Sequence, residues 1–89
     1  MTTEEKIIKV CDKIKEFLLS KNKSYGDSVM DPLRIFATSE PDEQIRVRID
    51  DKLSRIKRGD LLALTTESYL DTVEDLIGYL ILLLVMKEE

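Results

Sequence analysis

The sequence predicts an all-α protein: a small bundle of three main helices plus a short helix, oligomerising through the C-terminal helix. Three observations predict it. Apolar residues recur at steps of three and four in three separate stretches. Capping residues, glycines and prolines fall between those stretches. Residues 76–86 carry no charge at all, so their apolar surface runs right round the helix. At 89 residues the chain is expected to form one helical domain, 1–89.

The first helix is expected over residues 3–20. Ile7, Val10/Cys11, Ile14 and Phe17/Leu18 mark its apolar face. Thr2 or Thr3 supplies the cap, and Glu4 and Glu5 suit the positive end of the dipole. Residues 21–30 read as a loop, in which Gly26 permits a backbone turn at positive φ. Asp31 and Pro32 then open a short helix that is over by Thr38. Ser39-Glu-Pro-Asp opens the next long helix, with Ile45, Ile49, Lys52/Leu53 and Ile56 as its buried stripe and Gly59 as its C-cap. The last helix is expected from Thr66 to about Lys87. Its charge-free part is too short for a bilayer, which needs about 20 apolar residues, so no membrane partner is expected.

A domain this small buries a limited share of its surface and usually gains stability from disulfides, a metal or assembly. Cys11 is the single cysteine and cannot pair within the chain. That thiol, and a start without the basic-then-apolar order of a secretion leader, lead us to expect the cytoplasm. A homo-oligomer is the remaining route to stability. With no histidine, Ser-His-Asp triads and histidine zinc sites are excluded. The net charge of −4 argues against general nucleic-acid binding. Yet the charge is unevenly placed: residues 21–58 hold nine Lys and Arg against seven acids, while residues 60–89 hold seven acids and only Lys87.

Three constellations carry candidate chemistry. In the first, Lys23, Ser24, Tyr25 and Gly26 suit a phosphate-cradling turn with a ring for stacking on a base; the alternative is an ordinary turn with Tyr25 plugging the core. The second is Arg46, Arg48, Lys52 and Arg55, with Lys57 and Arg58 following. Guanidinium groups at helical spacing suit bidentate capture of phosphate; the alternative is a solvated face of ion pairs. The third is the acidic set Asp71, Glu74 and Asp75, with Glu67 before it and Asp50 and Asp51 on the preceding helix. Stacked carboxylates repel unless a cation or facing arginines offset them. In one reading they hold Mg²⁺; in the other they pair with Arg46, Arg48, Arg55 or Arg58 across the helix interface.

Taken in order, Lys21-x-Lys23-x-Tyr25-Gly26-Asp27, Asp31-Pro32-Leu33-Arg34-Ile35-Phe36, Arg46-x-Arg48-Ile49-Asp50-Asp51-Lys52-Leu53-Ser54-Arg55 and Glu74-Asp75-Leu76-x-Gly78-Tyr79-Leu80 resemble the nucleotide modification associated domain 1 family. That is a small helical group rich in phage and prophage members. The resemblance implies a compact helical fold, a viral source and a link to nucleotide metabolism. A looser likeness is to the MazG-type all-α nucleotide pyrophosphohydrolases and dimeric dUTPases, which hold Mg²⁺ with Glu-x-x-Glu on one helix and Glu-x-x-Asp on the next. This chain departs from that pattern, carrying Asp50-Asp51 and Asp71-x-x-Glu74-Asp75 instead. Glu40-Pro-Asp-Glu43 has the first spacing but lies at a helix start.

The expectation is therefore an oligomeric phage-type protein binding a nucleotide, one use being sequestration of a cyclic nucleotide immune signal. Lys23, Tyr25, Arg34, Arg46, Arg48, Lys52 and Arg55 are its candidate ligand contacts. Asp50, Asp51, Asp71, Glu74 and Asp75 would orient those groups or hold Mg²⁺. No cofactor is required for binding, whereas Mg²⁺ belongs to the enzymatic alternative, a nucleoside triphosphate pyrophosphohydrolase. A purely structural assembly protein is the third reading.

Overall fold

The computed structural model describes residues 1–26, 30, 39–58 and 67–88. Among them are three α-helices and no strand: α1 (Thr3–Tyr25), α2 (Pro41–Arg58) and α3 (Glu67–Val85). The all-α expectation holds. The expected short helix, the Gly59 cap and Arg34 lie outside the described residues. Contacts divide the chain into two units, Met1–Leu33 and Arg34–Glu89, the first containing α1 and the second α2 and α3.

α1 begins at a full capping box. The Thr2 side-chain oxygen accepts from the Glu5 N–H at 3.1 Å, and the Glu5 carboxylate accepts from the Thr2 N–H at 3.4 Å. The helix then runs to Tyr25, five residues past its expected end at Ser20. The physical reason is that Lys21, Asn22, Lys23 and Ser24 are polar but contain no breaker, and polarity alone does not end a helix. Gly26 ends it: at φ 56°, ψ 46° it adopts the left-handed conformation, and its N–H donates to the Asn22 carbonyl. Ile14 is the buried residue of the expected apolar face, while Ile7, Val10 and Phe17 are exposed. The Lys21 ammonium sits 4.6 Å from the centre of the Phe17 ring and covers part of it.

α2 starts where expected. Pro41 takes the first helical position, where its missing N–H has no partner to lose, and Asp42 and Glu43 face the positive dipole end. The Gln44 amide donates back to the Ser39 carbonyl at 3.2 Å. At the other end the Arg58 side chain folds back along the helix and donates to the Ser54 carbonyl at 3.3 Å.

α2 packs against α3. Two cross-helix contacts fix the direction: Lys52 meets Asp75, and Arg48, one turn earlier, meets Tyr79, one turn later. The helices are therefore antiparallel. The same register sets Ile49 level with Gly78, and both are buried. Ile45, only 2% exposed, lies one turn nearer the amino end of α2. Ile56 is half-buried, so the expected stripe holds, but Leu53 is exposed and the half-buried Lys52 takes the inner position. α3 tightens at its end, where Lys87 and Glu88 donate to carbonyls three residues back. Leu80, Ile81, Leu84 and Val85 remain exposed. Among the described residues no helix is long and apolar enough to cross a membrane.

Candidate functional site

The α2–α3 pair gathers most of the candidate residues. On α2, Arg46 lies near two acids of its own first turn, Asp42 and Glu43, at 3.8 Å each. Arg55 pairs with Asp51 one turn back at 3.2 Å. Both arginines are more than half exposed, so these contacts are solvated and individually weak. Between them, on the edge of the packed face, are Arg48 and Lys52.

Lys52 is the most enclosed cation of the set. Its side chain is 14% exposed, and its ammonium meets the Asp75 carboxylate at 3.1 Å. A partly buried charge needs such a partner, since leaving it unpaired would forfeit hydration without recompense. Arg48 differs. Its guanidinium carbon lies 5.9 Å from the centre of the Tyr79 ring, and among the described residues it has no carboxylate partner. An exposed guanidinium held beside a ring keeps its donors available to a ligand.

Asp51 and Asp75 are engaged by Arg55 and Lys52. Asp50 and Asp71 are exposed, and Glu74 is half-buried. Among the described residues no three such carboxylates come together in an arrangement able to hold a metal ion. Of the alternative in which arginines pair with the acids across the interface, the described residues show a lysine in that place. The described cross-helix ion pair uses Lys52, while Arg46 and Arg55 turn to acids of their own helix and Arg58 to a backbone carbonyl. The reason is proximity, because an acid one turn away on the same helix is already within reach of a long side chain.

Lys23 and Tyr25 lie in the other unit, on the last turn of α1 rather than in a loop. Tyr25 is 63% exposed, which removes its reading as a core plug. Arg34 lies outside the described residues. Tyr79 is the neighbour of Arg48 that sequence reasoning missed. Its signal was present in the spacing: it lies one turn after Asp75, as Arg48 lies one turn before Lys52. Elsewhere on α1, a hollow is lined by Met1, Lys6, Lys9, Val10 and Lys13, none of them a candidate.

No family model, curated protein or solved structure matches this chain.

Proposed function

We propose that the chain is an oligomeric nucleotide-binding protein that holds a phosphate-bearing nucleotide on the cationic edge of α2, without turning it over. The Arg48–Tyr79 pair carries this reading. A nucleotide offers both an anion for a guanidinium fork and a flat base for a ring, and Arg48 stands beside Tyr79 uncommitted to any described carboxylate. Arg55, two turns on, shares the edge of α2 that carries Arg48, in a weak, solvated pair that a phosphate can replace. Lys52, bound to Asp75, lies one turn from Arg48 on the same side of α2. Self-association through α3 belongs to the same proposal and is supported by its exposed Leu80, Ile81, Leu84 and Val85.

The test is a thermal-shift panel of linear and cyclic nucleotides. A ligand at a hundredfold excess over its Kd stabilises by about 2.7 kcal/mol, which in a chain of this size raises Tm by about 10–20 °C. Arg48→Ala should abolish the shift and leave the unliganded Tm within a degree or two. No shift with any nucleotide would leave a purely structural assembly protein. Incubation with the same nucleotides and Mg²⁺, read by chromatography, separates binding from turnover. Intact nucleotide fits the proposal, whereas released pyrophosphate would assign the acids a catalytic role.

A further inference from the structure

The register between α2 and α3 orders the charges that follow Arg48. Arg48 stands level with Tyr79, and Lys52 with Asp75. One turn further on, Arg55 of α2 comes close to level with Asp71 of α3. Lys52 is engaged by Asp75 and Arg55 by Asp51. Asp71 is exposed and, among the described residues, has no partner. Arg48, Lys52 and Arg55 are thus matched by Asp75, Asp51 and Asp71. The open cation, Arg48, and the open acid, Asp71, stand about two turns or 11 Å apart along the pair. In the opposite direction one turn brings Gln44 and Leu83, neither of them charged. On α3 the next cation that way, Lys87, stands past the end of the helix. Arg46, two residues before Arg48, falls on another side of α2 and turns to Asp42 and Glu43.

We infer that the site selects a nucleotide with a single phosphate group over its di- and triphosphate, and that Asp71 sets this limit. The inference rests on the proposed nucleotide binding at Arg48 and adds the class of ligand. A first phosphate takes the open guanidinium fork of Arg48 while the base lies against Tyr79. Second and third phosphates bring more negative charge but meet no open cation within a turn in either direction. Lys52 can turn to them only by releasing Asp75, which it holds at 3.1 Å. Arg55 can take a phosphate only in exchange for Asp51. That exchange swaps one anion for another and frees Asp51 on the side where Asp71 is already unpaired. A polyphosphate tail therefore ends among carboxylates, and each added charge increases repulsion without gaining an uncommitted cation.

Calorimetric titration of the full chain, at low salt and without divalent cations, tests this. The probes are the mono-, di- and triphosphates of the common ribo- and deoxyribonucleosides. For a nucleoside that binds, affinity should fall by about tenfold from monophosphate to triphosphate. Asp71→Asn keeps the side chain's shape and removes its charge. It should leave monophosphate affinity within about twofold and close most of the gap. Glu43→Gln removes an equal charge on the side of α2 that carries Arg46, and should leave the gap open. Circular dichroism should show the parent's helices in both variants, because both residues are exposed. A triphosphate that binds as tightly as its monophosphate, or more tightly, overturns the inference alone. A gap that Asp71→Asn leaves open, or that Glu43→Gln closes equally, overturns the role of Asp71. Absence of binding by every probe overturns the Arg48 reading and this inference together.

Discussion

At single positions the structure separates backbone effects from packing. Gly26 holds φ 56° with nothing within 4 Å of the place a Cβ would occupy. Gly26→Ala should therefore destabilise the end of α1 through backbone strain alone, by about 1 kcal/mol, and Gly26→Asn by less. Chemical denaturation followed by helical circular dichroism measures both; an unaffected alanine variant would mean the cap is not held. Ile45 is the opposite case, with packing on all sides and 2% exposure. Ile45→Ala should cost about 2–4 kcal/mol in the same measurement. The Lys52–Asp75 pair is a third kind. Removing only the acid, in Asp75→Ala, strands a mostly enclosed ammonium and should cost about 1–2 kcal/mol, less than a fully buried pair because Asp75 is one-third exposed. Lys52→Met removes the charge but keeps the stem, and should lie within about 1 kcal/mol of the parent. Equal losses in the two variants would mean that attraction, rather than desolvation, dominates.

At the level of elements, what was legible depended on whether a residue acts locally or through a neighbour. The starts of α1 and α2 follow from local chemistry, Thr2 with Glu5 and Pro41 with Asp42 and Glu43, and both lie where the sequence puts them. Thr2→Ala should cost about 1 kcal/mol, read as lost helicity at the start of α1 on heating. The end of α1 was misplaced because Ser20 to Ser24 look like loop residues, yet only Gly26 has the backbone freedom to stop the helix. The candidate site was legible at Arg46, Arg48, Lys52, Arg55 and the acids of α3 as a set of charges. Its pairing was not. Whether Asp75 takes a lysine or an arginine depends on the register between α2 and α3, which is set by packing of the face that carries the buried Ile45 and Ile49 rather than by local sequence. Tyr79 was hidden for the same reason, since only the antiparallel alignment brings it to Arg48.

For the whole molecule, net charge and local charge point in different directions. The chain carries −4, yet the exposed edge of α2 is cationic. Nucleotide affinity on that edge should fall as salt rises through the physiological range, because solvated charges are screened within about 8–10 Å; a salt-independent Kd would place the ligand elsewhere. The two properties proposed here also occupy different sides of α3. Tyr79 faces α2 and Arg48, whereas Leu70, Leu80 and Leu84 lie on the back. Arg48→Ala should therefore lose the nucleotide shift while sedimenting like the parent, and Leu84→Glu should sediment as a monomer while keeping the shift. One consequence of that back-to-back arrangement is evolutionary. Under the proposed function, substitutions on the arginine edge would retune what is bound without disturbing self-association, and substitutions on the apolar back of α3 would change the assembly without altering the ligand. A 19-residue helix carrying both sides lets selection act on each trait separately.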